Sequence, residues 1–423
     1  MIMNRRLLSI IYLLVFLFLS SYSSKAQNFT SNLYSMYGLG ELHSQTNIVS
    51  SAMGDAGLGV SNSQFLNILN PASYCNIDSL CFLTNLGVES KRSKFETKSD
   101  ASHTHDVNLS YIAIGFKPKK WLGMGFGINP FSTAGYNIQT DTYIEGSTLQ
   151  YPLKISGSGN INRIYMTFSV NPLKNLYLGV ENSFLFGKLK QIQYHDLSSI
   201  SNLSVSSEIT NEYKNFLWEF GMQYKIDLKK DQSLTIGAIY TPKQHLAADS
   251  EIMTYNTSGK IYDADNDMYD NNNFSIPSKY GLGIAFSKGN KYTFLLDGGI
   301  QCWSESNYKM ESIKLTDSPY LKTGFEYTPS RYFMDKYYKK ISYRIGYQFQ
   351  KSYLKLGSYQ QYENTISCGF GFPMKNARTR IDLSLEAGKK GKIGSARIFQ
   401  EKFFRVKLGL SLIDIWFTKR KYD

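Results

Sequence analysis

The sequence predicts an all-β protein: a transmembrane antiparallel β-barrel of about fourteen strands with an N-terminal hatch or plug inside its lumen. Three observations predict it. Apolar and polar residues alternate with period two in segment after segment. Short and long connections between those segments alternate along most of the chain. A secretory leader is followed by no apolar run long enough to cross a membrane as a helix, so any crossing must use a closed barrel. Of the 423 residues, 42% are hydrophobic and 15% aromatic, which excludes a polar disordered chain.

The leader comes first. Arg5 and Arg6 precede an apolar run, Leu7 to Leu19, broken only by Ser9. Ser24-Lys25-Ala26 then presents small residues at the two positions a signal peptidase reads, so residues 1–26 read as a signal peptide cut after Ala26. Removing Arg5, Arg6 and Lys25 takes the net charge from +13 to about +10. An exported basic protein meets anionic lipid and lipopolysaccharide phosphates rather than nucleic acid. The expected address is the outer membrane of a Gram-negative bacterium.

The strands follow from their alternation. In Phe216 to Asp227 every even position is apolar or aromatic, while the odd ones, Leu217 apart, are small, polar or charged. Ile341, Tyr343, Ile345, Tyr347 and Phe349 interleave with Ser342, Arg344, Gly346, Gln348 and Gln350. Ile381 to Gly388 and Phe404 to Leu412 repeat the pattern. Fourteen such segments of roughly ten residues centre near 84, 112, 125, 165, 180, 220, 237, 283, 297, 324, 345, 367, 384 and 408, making residues 76–417 the barrel. Arg344, Glu219, Lys225, Asp382 and Glu386 fall on the faces opposite the apolar ones, which assigns them to a polar lumen.

Links near 118–120, 171–175, 228–231, 287–290 and 373–378 are short. Those near 91–105, 130–158, 187–212, 243–277 and 304–318 are long and polar, as expected of external loops, whereas 329–339 and 351–360 depart from the rule. Trp121, Trp303 and Trp416 stand at segment ends, where an interfacial aromatic girdle is expected. A basic tail, residues 418–423, follows the last segment.

Residues 27–75 do not alternate and are rich in Gly, Ser, Asn and Ala. A fourteen-stranded lumen is too wide for side chains alone to fill, so this stretch is expected to plug it. Its glycines would permit tight turns and close backbone approach. Asn70-Pro71-Ala72 is a turn signal just before the first wall strand.

Taken in order, these features resemble the FadL/TodX family of outer-membrane channels for hydrophobic compounds. Tyr37-Gly38-Leu39-Gly40, the Gly/Ala-rich stretch at 52–59 and Asn70-Pro71-Ala72 resemble that family's hatch and its Asn-Pro-Ala motif. Trp121 to Phe131 resembles its Gly-rich third strand, and Ile276 to Phe286, continuing to Asp297 and Trp303, its Pro-led strand pair. The resemblance implies passive uptake of hydrophobic small molecules such as long-chain fatty acids, past a hatch and out through a kink in the third strand. It makes Gly123, Gly125, Gly127, Asn129 and Pro130 a candidate lateral gate. Interior glycines weaken a strand and Pro130 removes a ladder donor. The same glycines equally suit a crowded lumen in which the hatch packs on bare backbone.

Chemistry is sparse. No nucleophile elbow, zinc-protease motif or phosphate loop occurs, so the chain reads as no enzyme, with no cofactor and no metal. His103-Thr104-His105-Asp106 reads as a solvated loop, and His195-Asp196 lacks a placed serine. Cys75 and Cys81 are close enough for a small disulfide loop, whereas Cys302 and Cys368 are expected reduced on lipid-facing strands.

Two functions follow. One is the uptake channel, with a hydrophobic small-molecule ligand. The other is a non-transporting accessory or scaffold barrel of an outer-membrane secretion or assembly complex, docking through the loops 187–212 and 243–277. An apolar tunnel would favour the first and a polar or sealed lumen the second. The inward residues are mainly Gly, Ser, Thr, Lys, Glu and Gln, so the transport reading rests on the family resemblance.

Overall fold

Alternation puts every second side chain on the same face of a strand, and fourteen such strands close into a barrel. The structure is a computed structural model that describes residues 33–98, 101–144, 146–198, 203–228, 231–257, 259–265, 274–289, 291–306, 313–330, 332, 334–356, 359–374, 379–393 and 399–415. The leader, Trp416 and the basic tail lie outside the described residues.

A two-residue strand, β1 (Glu41–Leu42), precedes the wall. The wall begins with β2 (Cys81–Glu96), β3 (Ala101–Lys119), β4 (Leu122–Tyr143) and β5 (Gln150–Leu173). It continues with β6 (Leu176–Leu197), β7 (Leu203–Asp227) and β8 (Gln232–Thr241). The next link holds β9 (Gln244–His245), β10 (Ala248–Asn256), β11 (Gly259–Asp265) and β12 (Ser275–Ile276). The wall resumes with β13 (Lys279–Lys288) and β14 (Tyr292–Gln301), and β15 (Ile313–Leu315) lies in the link that follows. It ends with β16 (Ser318–Tyr327), β17 (Ser342–Leu356), β18 (Tyr359–Pro373), β19 (Thr379–Gly391) and β20 (Gln400–Ile415). Every wall pairing is antiparallel, and β20 pairs with β2 from Cys81↔Ile415 to Glu96↔Gln400 to close the ring.

Each of the fourteen alternating segments falls on one of these wall strands. The faces fall as the alternation requires. Phe216, Trp218, Phe220, Met222 and Tyr224 are all exposed on the outside of β7, with Phe216 63% exposed, while Gln223 between them is fully buried. Inside, Arg344 donates from Nε to Glu326 at 2.6 Å and from Nη1 to Asp382 at 2.8 Å, and Arg380 donates to Asp382 at 2.9 Å. Charges so far from bulk water persist only when paired this closely. Among the described residues no helix is long and apolar enough to cross a membrane.

The structure corrects four expectations. The strands are not uniformly about ten residues: β4 has 22 and β7 has 25. Stretches read as long loops are paired strand. The β6–β7 ladder runs on to Leu197↔Leu203, and β10 continues the same sheet beside β7. Trp303 is no girdle residue but is 3% exposed, stacked on Tyr353 at 4.4 Å. Trp121 is 51% exposed at the short-turn end, with the Lys119 ammonium 5.5 Å above its ring. None of the four cysteines is in a disulfide, so Cys75 and Cys81 form no loop; the Cys75 thiol donates instead to the Ser169 carbonyl at 3.1 Å.

Candidate functional site: the occupied lumen and the β3–β4 seam

Residues 33–80 run through the barrel from the end with long links to the end with short turns. The path begins at an apolar cluster of Tyr34, Phe95, Trp303, Leu315, Leu354 and Phe399. Tyr34 stacks on Phe399 at 3.8 Å, and its hydroxyl donates to the Phe399 carbonyl at 2.9 Å. The cluster joins the start of this segment to the ends of several wall strands and so covers the mouth.

Below it, the segment lies against inward glycines around the wall. A Cβ on Gly346 would lie 2.0 Å from the Gly54 nitrogen, and one on Gly237 2.0 Å from the Leu58 carbonyl oxygen. A Cβ on Gly324 would likewise meet Met53 at 2.6 Å and one on Gly369 would meet Ala52 at 2.5 Å, and Gly179 lies against Pro71 and Ala72. Gly54 itself has φ +67°, and its own Cβ would strike the Tyr347 backbone at 2.6 Å, so both partners there require glycine.

Polar contacts lock the fit. Asp297 Oδ2 on β14 accepts from the backbone N–H of Gly57 at 2.6 Å and of Leu58 at 2.9 Å, and the Gly54 N–H donates to Ser367 Oγ at 2.8 Å. Asp55 accepts from Ser44 at 2.6 Å, Thr46 at 2.8 Å and Ser51 at 3.0 Å. Burial alone would raise its pKa, but the nearby Lys407 and Lys322 ammonium groups and these hydroxyls outweigh that and hold the carboxyl well below the usual carboxylate range.

The structure places the Asn70-Pro71-Ala72 motif at the start of a 3-10 turn, Pro71–Asn76. Asn70 is fully buried; its Oδ1 accepts from Ala72 N–H at 3.0 Å, and its Nδ2 donates to Leu58 O at 2.9 Å and to Met222 O on β7 at 3.1 Å. The motif therefore ties two parts of the segment to the wall. Ser169 Oγ on β5 holds Ala72 O at 2.8 Å.

Gly123, Gly125 and Gly127 all face inward on β4. The first two lie against the Tyr74 backbone and ring, and the third against the Ile112 carbonyl and the Tyr165 ring. Directly above them the wall divides. The β3–β4 ladder ends at Ile112↔Ile128, and the β4–β5 register shifts between Pro130 and Ser132. The β4 edge freed there is taken by the N-terminal segment. Glu41 pairs with Thr133 and Leu42 with Ser132, the His43 N–H donates to Phe131 O at 2.9 Å, and Gln45 Nε2 donates to Pro130 O at 3.1 Å. Asn129, 2% exposed, bonds Gln45 and accepts from Arg163 at 3.2 Å. A strand mimic from inside the barrel thus covers the seam.

One cavity of about 200 Å³ is lined by charged and amide side chains, among them Asp55, Arg163, Glu219 and Lys322, and by apolar ones from Leu58, Ile68, Leu69 and Ile239. A second, of about 130 Å³, has a more apolar wall from Leu42, Phe131, Leu217, Ile276 and Trp303. The described residues hold no group of three or more metal-ligating side chains. His195 lies beside Tyr151, 3.1 Å from its hydroxyl, and Asp196 accepts from Ser198 at 2.6 Å, so the three do not form a relay. His103 and His105 lie on β3, not in a loop. The sequence carried no sign of the mouth cluster or of the β1–β4 pairing, both of which join residues far apart in the chain.

The barrel fold is similar to that of solved hydrocarbon channels and toluene transporters. The fold matches the CymD monoaromatic hydrocarbon channel with a TM-score of 0.58 at 14% identity, covering 87% of this chain and 97% of that one. It matches the Pseudomonas putida toluene transporter TodX at 0.56 and 13%, covering 88% and 99%, and the Ralstonia pickettii toluene transporter TbuX at 0.58 and 13%, covering 86% and 97%. These neighbours are channels, not enzymes. No curated protein matches the chain. A family model described as BamG matches residues 3–423, and the chain belongs to the BamG family.

Proposed function

We propose that the protein is a plugged barrel of the Gram-negative outer membrane that serves as an accessory or scaffold subunit of a larger membrane complex. The observation that carries this reading is the occupied lumen. The N-terminal segment meets bare wall backbone at Gly346, Gly237, Gly179 and Gly324, and the cavity of about 200 Å³ beside it carries the charged side chains of Asp55, Arg163, Glu219, Lys279 and Lys322. A hydrophobic solute would have to desolvate those charges or expel the segment, and both are costly. The BamG family match, distinct from the named channels, is consistent with a role other than theirs.

A second reading, uptake of a hydrophobic compound, has one observation in its favour besides the fold. The cavity of about 130 Å³ beside Leu42, Phe131 and Trp303 approaches the roughly 150 Å³ that holds a benzene ring in an engineered protein. It suits a single ring better than a long-chain fatty acid.

Gentle detergent extraction of the tagged protein from its native membrane, followed by native mass spectrometry, separates the two. Stoichiometric co-purifying chains with no small ligand support the accessory role. A lone barrel carrying a hydrophobic molecule overturns it in favour of the channel.

A further inference from the structure

The outer wall carries a feature that neither reading uses. On β19, β20, β2 and β3 the register aligns outward-facing residues into rows across four strands. Leu383, Leu408, Val88 and Leu109 form one row, and Leu385, Val406, Ser90 and Val107 the next toward the mouth. Ala387, Phe404, Arg92 and His105 follow, and then Lys389, Lys402, Lys94 and His103. Three lysines therefore stand directly opposite one another beside His103, with Arg92 one row below.

Like charges in direct cross-strand pairs are destabilising. Glu96 relieves part of this, at 2.6 Å from Lys94 and 2.7 Å from Lys402. Arg92 and Lys389 are exposed and form no ion pair among the described residues. The row ends at β18, where Asn364 faces Lys389 and Phe349 faces Asn364. The array is thus local and carries uncompensated positive charge.

Its depth identifies what could compensate it. On β20 the outward apolar residues Leu412, Leu410, Leu408, Val406 and Phe404 are bracketed by Asp414 and Lys402. The roughly 40 Å of strand between those two charges, tilted at about 40°, rises about 30 Å, the thickness of a membrane's apolar layer. Asp414 lies at the short-turn end, so the basic row lies at headgroup depth in the leaflet on the long-link side. A shallow groove of about 500 Å³ runs there along the wall, lined by Ser90, Arg92, His103, His105, Phe404 and Val406. His105 Nε2 is 2.9 Å from Ser90 Oγ, which fixes one rim.

We propose that this groove is a binding site for a phosphorylated glycolipid of the outer leaflet, lipid A in chemical class. Its phosphates would lie on Arg92, Lys94, Lys402 and Lys389, and one acyl chain would lie along Phe404, Val406 and Leu408. Charge complementarity selects the headgroup, and continuity with the apolar band selects a lipid over a soluble anion. The inference does not depend on whether the barrel transports or scaffolds.

The test is native mass spectrometry of the full-length protein in mild detergent with added diphosphoryl lipid A. Wild type should retain it at least tenfold better than fully dephosphorylated lipid A. The triple substitution Arg92→Gln, Lys94→Gln, Lys402→Gln should lose that preference, while Lys154→Gln with Lys188→Gln, far from the groove, should keep it. Should the triple variant fail to fold, Arg92→Gln alone should still lower retention about threefold, and the wild-type headgroup comparison stands by itself. Equal retention of the two lipids by wild type, or an unchanged preference in a folded triple variant, overturns the proposal. So does displacement of lipid A by 10 mM inorganic phosphate or by an acidic peptide, which would make the row a soluble-anion or protein-docking site.

Discussion

Asp297 on β14 receives the backbone N–H of Gly57 at 2.6 Å, and through the same oxygen that of Leu58. One wall carboxylate thus holds the turn at the centre of the N-terminal segment. Hydrogen bonds to a charged group contribute about 1.5–3 kcal/mol each. Asp297→Ala should therefore speed amide exchange at Gly57 and Leu58 about ten- to a hundredfold. Exchange in the β13–β14 ladder should change little, since that ladder is backbone-bonded. Unchanged protection at both amides would show that the segment is held elsewhere.

The glycine contacts give a steric test. Gly346→Val inserts a side chain where the Gly54 nitrogen lies 2.0 Å from the Cβ position. The segment must shift, and the variant should conduct ions in planar bilayers where wild type does not. Gly298→Ala is the control, because its Cβ meets nothing nearer than 3.9 Å. Equal conductance in all three proteins would mean that the segment does not close the pore. Deleting residues 28–70 should open the pore further than Gly346→Val.

The wall strands are legible because lipid on one side and a polar lumen on the other impose period two, as in Phe216 to Tyr224. Past the membrane both faces are wet and the period fades, although the pairing persists. Lys188 meets Glu212 across the β6–β7 ladder at 2.9 Å, and Lys190 pairs with Glu208, yet to a hydrophobic pattern these residues look like loop. Trp303 misleads for a related reason: its strand end predicts an interface, but the mouth cluster buries it. In the candidate site, Gly346 appears in the sequence only as a small residue on a polar face. That it meets Gly54, and that Leu42 pairs with Ser132, are long-range contacts that no local pattern carries.

Acid should loosen the segment late. The Asp55 carboxyl is held below the usual range, so the unfolded state binds its proton more readily than the folded one. Its contribution is then fully present above the unfolded value of about 4 and is lost as pH falls from there toward the folded value. Amide protection around residues 51–55 should stay level from pH 8 to pH 5 and decline only below about 4. Asp55→Asn should remove that acid-dependent decline and lower protection at neutral pH. A decline centred near pH 6 in wild type would assign the titration to another group.

The cysteines report the state of the lumen. Cys75 is 1% exposed near the end of the segment, with its thiol on the Ser169 carbonyl of the wall, while Cys368 is exposed on the outer face of β18. A maleimide in mild detergent should label Cys368 within minutes and leave Cys75 unlabelled until the protein is denatured. Non-reducing gels should show no shift attributable to a Cys75–Cys81 or a Cys302–Cys368 bond. In Gly346→Val, Cys75 should become reactive at the rate at which the pore opens, because the same displacement draws the segment, Cys75 included, off the wall. Rapid Cys75 labelling in wild type would mean that the segment leaves the lumen on the timescale of the reaction, and the sealed-barrel reading would fall with it.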